Sequence, residues 1–382
     1  MIPLAVSYGR EVRTDSAGVF FALLALLLIV RLFERASLRD QFVAGLAVGV
    51  GISSRYFLVT LLAALVAAGW IALRRRVPGA SVRGIAAGVG AAIVAFVLTT
   101  PYFLLDWSTA RASLANESAS HVGHDGFSPI GNLRWYLGNA IPNAISWPVA
   151  QLAVTGIIVA VVHRRDARRL VLLAGAATFL VAISTSKLHW NRWLLPILPV
   201  VVLFAADGLA QLASAIGARI GRRELASAFA LAGVALVALW PAKNVIQLNV
   251  RESRSSTRVV ARDWIEANVP EDSSVVRELK TAPLDHTDLR WMSRFSLPYG
   301  GWTLDRYRVD GFRYFVTNAG ISGAYTTQPR RYPAQALLYR ELRQQGCLLH
   351  VFRPDALRDG PVIRVYELPS GAGGSCGRGA RF

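Results

Sequence analysis

Eight long apolar segments constrain this chain more than any other feature. They fall at residues 17–33, 41–54, 56–73, 84–105, 147–162, 169–186, 193–216 and 224–247. Most approach the roughly 20 residues that an α-helix needs to cross a bilayer. Of the 382 residues, 53% are hydrophobic and 17% are charged, against about 25% charged in a typical soluble domain. The pattern predicts a polytopic membrane helix bundle and excludes a purely soluble enzyme, a disordered chain and a collagen-like chain.

Short clusters of arginine separate the apolar segments and predict the orientation of the bundle. The chain carries 42 basic and 24 acidic residues, a net charge of +18. Short basic connections are typical of the cytoplasmic side of a membrane, and four of them fit that rule together, at 31–39, 74–83, 163–169 and 219–223. The predicted outside regions are then residues 1–16, the turn at Arg55, the loop 106–146, the turn 187–192 and everything after about 248. Because the arginines lie in short clusters between the apolar segments, they indicate membrane topology and not a surface that binds nucleic acid. We therefore do not expect nucleic acid as a partner.

The composition changes after Val250, and the rest of the chain predicts a small α/β domain. Residues 257–268 have the apolar spacing of a helix, which Pro270 ends. The remaining predicted elements are strands at 274–279, 312–317, 347–353 and 361–368 and a helical patch at 335–345. Alternating helices and strands indicate an α/β fold. We therefore divide the chain into a multi-pass domain (1–249), an extracytoplasmic α/β domain (250–369) and a Gly-rich, disordered tail (370–382).

Charged residues at the outer ends of the apolar segments are the first candidates for chemistry. Asp15 precedes the first segment, either as an N-cap or as a carboxylate that orients a substrate hydroxyl or binds a metal–phosphate; both can hold together. Arg55 and Tyr56 interrupt two apolar segments. A charge at membrane depth tends to face a cavity or a partner, and the alternative is an ordinary turn whose arginine reaches the headgroups. A guanidinium there can bind a lipid phosphate through two hydrogen bonds.

The loop 106–146 brings His121, His124 and Asp125 close together in sequence. A His-x-x-His pair with an aspartate can ligate a metal, but the glycines around it favour an irregular loop, and we assign no metal site. Contact with substrate and plain solvation of a polar loop are the alternatives.

The stretch 184–199, STSKLHWNRWLLPILP, has Lys187, His189 and Arg192 in a short outside turn. Basic residues beside tryptophans are typical of an anchor in the headgroup region. The alternative is a cationic pocket for the phosphate or pyrophosphate of a lipid carrier.

Four stretches resemble the bacterial GT-C type membrane glycosyltransferases, the branch related to protein O-mannosyltransferases and the lipid A aminoarabinose transferase. They are YGREVRTDSAGVFFALLALLLIVRL, FVAGLAVGVGISSRYF, HWNRWLLPILPVVVLFAADGL and VARDWIEANVPEDSSVV. The first is similar to a "T-D-x-x-x-x-F-F" entry to a membrane helix, and the third to "H-x-x-R-Y-L-L-P-x-L-P". The sequence departs from the family at Arg55, where Lys is common, and at Trp193, where Tyr is common.

The resemblance implies a GT-C-like enzyme of the bacterial inner membrane. Such an enzyme transfers a sugar from a polyprenyl-phosphate-linked donor to an acceptor hydroxyl on the extracytoplasmic side. Under this hypothesis Asp15 is the catalytic residue, and it orients the substrate hydroxyl or a metal. The donor phosphate is held by Arg55, Lys187 and Arg192, and the substrate is lined by Tyr56, His121, His124, Asp125 and His189. The sugar, the acceptor, a divalent cation as cofactor and the pairing of Cys347 with Cys376 are left open.

One departure from the family concerns the N-terminal end of the sequence. Family members begin with additional membrane helices and an outside loop whose acidic residue is the expected catalytic base, whereas Met1 lies just before the second acidic position, which Asp15 matches. The sequence is therefore expected to be N-terminally incomplete, through a late assigned start, a split gene with a separately encoded N-terminal partner, or a decayed gene. Two alternatives follow: a non-catalytic remnant or partner subunit of such an enzyme, and a transporter of a lipid-linked sugar, which the nearly charge-free spans disfavour.

Overall fold

The computed structural model describes residues 2–10, 14–117, 126–163 and 166–369. The chain forms two compact units, Met1–Val245 and Ile246–Phe382. It is mainly helical with a small sheet near the C-terminus, as the sequence predicts for a GT-C-like bundle with an α/β domain.

The first unit is built from helices alone in the part of the chain that is described. They are α1 (Pro3–Gly9), α2 (Asp15–Arg31), α3 (Leu38–Ser54), α4 (Leu61–Arg74), α5 (Val82–Thr99), α6 (Tyr102–Leu105), α7 (Trp107–Glu117), α8 (Pro129–Trp135), α9 (Ile141–Ile145), α10 (Trp147–His163), α11 (Ala167–Ser184), α12 (Leu198–Arg219) and α13 (Ala226–Glu252), within which the boundary between the units falls. Short 3₁₀ turns at Tyr56–Thr60, Asn191–Leu194 and Arg223–Leu225 and a π-helical turn at Tyr136–Ala140 join them.

Five helical stretches among the described residues are long and apolar enough to cross a membrane, or six if a bent pair counts as one span. They are Tyr56–Arg74, α5, α11, α12 and the stretch containing α13; the bent pair joins Pro129–Ile145 to Trp147–Val162 at 117°. Helices α2 and α3 are shorter, with 17 residues each. Pro101, which cannot continue the hydrogen bonding of a helix, separates α5 from α6 inside the predicted segment 84–105. The number of eight spans stays a prediction.

Small residues allow two helix pairs of this unit to pack backbone against backbone. A Cβ on Gly45 of α3 would overlap the carbonyl oxygen of Gly88 on α5, and a Cβ on Gly156 of α10 would overlap that of Phe204 on α12. Close approach of backbones through small residues is how helices associate in lipid, where apolar side chains gain little by leaving the acyl chains. The glycines of FVAGLAVGVG therefore fix the packing of α3, the helix that leads to Arg55.

The second unit contains a five-stranded sheet. Its elements are α14 (Thr257–Asn268), β1 (Ser274–Glu278), β2 (Arg290–Arg294), α15 (Leu304–Val309), β3 (Tyr314–Asn318), α16 (Ala319–Thr326), α17 (Pro333–Gln345), β4 (Cys347–Phe352) and β5 (Ile363–Glu367). The strand order is β2-β1-β3-β5-β4. Strand β1 runs parallel to β2 and β3, whereas β5 is antiparallel to β3 and β4.

Periodicity explains why α14 packs against this sheet. Thr257, Ala261 and Ile265 recur every four residues and are all buried, so they form one buried stripe along the helix. The stripe meets a core that includes Val275 and Val365. The predicted helix 257–268 has the bounds of α14, and the predicted strands correspond to β1, β3, β4 and β5. Strand β2 and helices α15 and α16 were not predicted from the sequence. Cys347 is disulfide-bonded; Cys376 and the predicted tail 370–382 lie outside the described residues.

Candidate active site

Asp15 lies at the start of α2 and is only 4% exposed. It is the first helical residue, and Thr14 occupies the N-cap position without a side-chain cap hydrogen bond. An anion in the first turn interacts favourably with the positive end of the helix dipole. The N-cap interpretation of Asp15 is therefore wrong by one position, and the helix end alone does not account for burial of its carboxylate.

Arg55 balances the charge of Asp15. It follows α3 in an extended conformation, φ −152° and ψ 110°, and its Nη2 forms a salt bridge with Asp15 Oδ1. Gly18, on α2, faces the Arg55 side chain: an added Cβ would lie 2.8 Å from Arg55 Cγ. Asp15 Oδ2 is buried and has no hydrogen-bond partner within the described ranges. One oxygen of the carboxylate is thus paired, and the other is available to a ligand.

Arg192 joins this pair from a distant part of the sequence. It lies on the 3₁₀ turn Asn191–Leu194, and its guanidinium carbon stacks 4.1 Å from the centroid of the Trp190 ring. The next residue, Trp193, packs on Phe57 with 4.8 Å between ring centroids. A small cavity of about 10 Å³ is lined by Asp15, Arg55, Phe57, Phe179, Arg192, Trp193 and Pro196. Two arginines and the buried aspartate therefore line one small cavity.

A larger cavity of about 460 Å³ shares Arg55, Phe57 and Trp193 with the first. We name it the polar cavity for the hydroxyl groups in its lining, although most of its lining surface is apolar. Its other lining residues are mostly hydroxyl-bearing: Thr14, Ser53, Ser54, Tyr56, Leu114 and Ser186. Ser53 Oγ lies 2.5 Å from Thr99 Oγ1, which in turn donates to the Ala95 carbonyl at 2.7 Å. Hydroxyls beside an arginine form a lining suited to a polar, anionic ligand.

An apolar groove of about 390 Å³ adjoins the polar cavity, because Tyr56 and Leu114 line both. The rest of its lining is Ile52, Val59, Leu62, Ala92, Ile93, Phe96 and Phe103. The Tyr56 ring packs near Phe96 and Phe103, with centroids 6.5 and 6.0 Å apart. A ligand with a polar head and an apolar tail fits this arrangement.

The N-terminal part of this site lies in a region of the chain that matches a known protein family. Residues 1–110 match the family model described as dolichyl-phosphate-mannose-protein mannosyltransferase. Asp15, Arg55 and Tyr56 lie in the matched region, and Arg192 lies beyond it. No curated protein matches the chain. The match supports a membrane glycosyltransferase that uses a lipid-linked sugar donor, and it leaves the donor and acceptor unspecified.

Beyond Asp15, Arg55, Tyr56 and Arg192, the predicted site residues are placed differently. Lys187 is exposed and lines neither cavity; its carbonyl accepts a hydrogen bond from the Gly126 amide at 2.7 Å. His189 packs between two aromatic rings, those of Phe127 at 5.2 Å and Trp135 at 4.3 Å. Phosphate binding by Lys187 and substrate lining by His189 stay predictions. His121, His124 and Asp125 lie outside the described residues.

Several residues that line the site were not predicted from the sequence. Ser53 and Ser54 directly precede Arg55, and Ser186 belongs to the turn after α11. The signal for the two serines was available, because consecutive hydroxyls at the end of an apolar helix mark a polar lining at membrane depth. Within the described ranges, no three residues among His, Cys, Asp and Glu form a group that could hold a metal ion.

Proposed function

We propose that this chain is a membrane glycosyltransferase that transfers a sugar from a polyprenyl-phosphate-linked donor to an acceptor hydroxyl. We place it in the bacterial cell membrane with the reaction on the extracytoplasmic side. The observation that carries the proposal is the cavity shared by Asp15, Arg55 and Arg192. The match of residues 1–110 to the mannosyltransferase family supports it.

Two arginines at one cavity suit the phosphate of the donor. A guanidinium binds phosphate oxygens bidentately and keeps its charge when buried. In a largely apolar protein an arginine pair is favourable only where an anion compensates it. Asp15 pairs with Arg55 in this structure. A lipid phosphate in the adjoining cavity that Arg55 also lines is the proposed anionic ligand.

The polyprenyl chain of the donor is proposed to lie in the apolar groove beside Tyr56. The groove adjoins the polar cavity, so the phosphate can reach Arg55 while the isoprene units stay on apolar side chains. Burial of each methylene-sized group contributes about 0.8 kcal/mol. The lipid therefore supplies much of the binding energy, and the arginines orient the phosphate.

The proposed orientation agrees with the ion pairs at the other end of the bundle. Arg168, at the start of α11, forms a salt bridge with Glu34 after α2 at 3.2 Å, and the Ala36 amide bonds to the Pro78 carbonyl at 3.1 Å. These contacts gather three of the basic connections at one end of the helices. Asp15 and Arg55 lie at the opposite ends of α2 and α3. Short basic connections favour the cytoplasm, so the site is proposed to face outward.

In the proposed reaction a carboxylate takes the proton of the acceptor hydroxyl. The hydroxyl oxygen then bonds to the anomeric carbon, the bond between that carbon and the phosphate oxygen breaks, and the lipid phosphate leaves with the bonding electrons. Asp15 is the only acid among the described residues that line the two cavities, and its Oδ2 is the atom proposed to contact the reacting hydroxyl. Arg55 and Arg192 stabilise the charge that develops on the departing phosphate.

The test compares Asp15→Asn with Asp207→Asn in the full chain, purified in detergent. Asp207 is a matched control because it is also a partly buried acid paired with an arginine, Arg169, at 3.2 Å. The assay follows release of polyprenyl phosphate from polyprenyl-phosphate-mannose, with bacterial membranes as the source of acceptor. Asp15→Asn is expected to lower turnover by about 100-fold, a typical contribution of a positioned proton-transfer group, whereas Asp207→Asn stays within about twofold of wild type.

Two outcomes would go against the proposal. Equal turnover by wild type and Asp15→Asn would remove Asp15 from the reaction. Binding of polyprenyl phosphate by a wild type that shows no turnover with any polyprenyl-phosphate sugar would instead favour a non-catalytic partner subunit.

A further inference from the structure

One buried amide side chain on α8 forms hydrogen bonds to the turn that carries Arg192. Asn132 is fully buried, and its Nδ2 donates to the carbonyl of Ser184 at 3.1 Å and to that of Ser186 at 2.8 Å. Its Oδ1 accepts from the Phe127 amide at 2.8 Å. Asparagine offers two donors and one acceptor oxygen, and all three functions are used here. The Ser184 carbonyl ends α11, where the last carbonyls lack partners within the helix.

A second contact fixes the part of the turn closest to Arg192. The hydroxyl of Tyr136, which is fully buried, accepts from the Trp190 amide at 3.3 Å. The Trp190 ring lies under the Arg192 guanidinium at 4.1 Å. Tyr136 begins a π-helical turn, a distortion that often marks functional sites because it redirects side chains.

A third contact shows how closely the two segments run together. The Gly126 amide donates to the Lys187 carbonyl at 2.7 Å, and a Cβ on Gly126 would come within 2.9 Å of that same oxygen and of Asn132 Nδ2. Gly126, Asn132 and Tyr136, which lie before, on and directly after α8, therefore each hydrogen-bond to the turn after α11. Arg192 itself belongs to a short turn and not to a long helix, so its position depends on these contacts.

We propose that Asn132 is a positioning residue: it holds the turn 184–192 so that Arg192 faces Asp15 and Arg55. The inference rests on the proposed function in one respect, namely that Arg192 binds a lipid phosphate. It goes beyond that function by making α8 a determinant of affinity for phosphate, although no side chain of α8 lines either cavity.

The experiment measures binding of farnesyl phosphate, with farnesol as the ligand lacking the phosphate, to the full chain in detergent. Asn132→Asp keeps the shape and the acceptor but loses the two donors. Gln41→Glu is the matched control: Gln41 is a buried amide that donates to the Ala36 carbonyl at 3.0 Å. It lies near the start of α3, about 20 Å along that helix from Arg55 by the rise per residue.

Asn132→Asp is expected to weaken binding of farnesyl phosphate by about tenfold, the effect of losing one hydrogen bond to a charged group. Gln41→Glu is expected to lower the thermal midpoint while affinity stays within about twofold. In an Arg192→Ala background, Asn132→Asp should weaken binding no further, because the two residues act in series. Tyr136→Phe is a second and milder variant, because it removes only the hydroxyl. It is expected to weaken binding of farnesyl phosphate by about threefold.

The outcomes separate the two proposals. A wild type that binds farnesyl phosphate no better than farnesol overturns the phosphate site, and the role of Asn132 with it. If wild type prefers the phosphate but Asn132→Asp and Tyr136→Phe both bind it as tightly, only the positioning role is overturned. Additive losses from Asn132→Asp and Arg192→Ala, or an equal loss of affinity in Gln41→Glu, would also overturn it, because a general loss of structure would explain them.

Discussion

At the scale of single residues, Glu278 at the end of β1 is a buried acid in the described part of the second unit. Its carboxylate is fully buried and accepts hydrogen bonds from the Tyr339 hydroxyl and from the amides of Leu297 at 3.1 Å and Asn318 at 2.7 Å. Burial raises the pKa of Glu278 from 4.5 to about 7, and the three donors oppose the rise. Glu278 thus ties the ends of β1 and β3 to the segment that follows β2.

The raised pKa of Glu278 predicts that this unit is more stable in mild acid than at neutral pH. The folded state binds the proton more tightly than the unfolded state, so the stabilisation is complete below about pH 4.5 and is lost as pH rises through about 7. The shift corresponds to about 3 kcal/mol in the free energy of unfolding. Hydrogen exchange of β1 and β3 amides in the full chain, followed between pH 4.5 and 8, measures this loss.

Tyr339→Phe tests whether Glu278 causes this dependence of stability on pH. It removes a donor that lowers the pKa of Glu278, so the loss of stability should extend to higher pH than in wild type. Tyr314→Phe is the control, because Tyr314 is also a buried tyrosine of this unit and its hydroxyl donates to Glu367 Oε1 at 3.5 Å. A pH profile that Tyr339→Phe leaves unchanged would contradict the assignment to Glu278.

At the scale of elements, the sequence predicted regular segments well and tertiary contacts poorly. The bounds of α14 followed from its apolar spacing and Pro270, because both signals are local. Strand β2 was missed because RWMSR has two arginines, no alternation of apolar residues, and an edge position where most side chains stay partly exposed. The pairing of Asp15 with Arg55 was not predicted, since it depends on how α2 packs against α3.

Helix packing gives a prediction at the same scale. Gly45→Leu should destabilise the first unit by about 2 kcal/mol or more, because the new side chain meets the backbone of Gly88 and overpacking at a close helix contact is rarely relieved. Gly90→Leu is the matched control, since an added Cβ at Gly90 on α5 meets nothing within 4 Å. Thermal unfolding in detergent compares the two variants. Equal midpoints would show that the α3–α5 contact is not closely packed.

At the scale of the whole molecule, the sequence identified three of the cavity's charged groups without showing that they meet. Orientation by the arginine clusters predicted that Asp15, Arg55 and Arg192 share one membrane face, and the structure brings these three to one cavity. The same orientation also put Lys187 on that membrane face. However, the orientation predicts only the side of the membrane on which a residue lies, and not the direction in which its side chain points. The hydroxyl lining and the apolar groove were not predicted, because their residues come from many separate parts of the chain: Thr14, the end of α3, the turn Tyr56–Thr60, helices α4 to α7 and the turns after α11.

The proposed orientation also predicts which side of the membrane each part of the chain faces. Val309→Cys, 85% exposed at the end of α15, should react with a membrane-impermeant maleimide in intact spheroplasts. Pro78→Cys, in the exposed turn between α4 and α5, keeps every nearby arginine and should react only after lysis, because short basic connections stay in the cytoplasm. The unmodified chain measures the background from the native cysteines. If Pro78→Cys were labelled before lysis and Val309→Cys were protected, the bundle would have the opposite orientation. The Asp15 cavity would then lie on the cytoplasmic side, away from any extracytoplasmic acceptor.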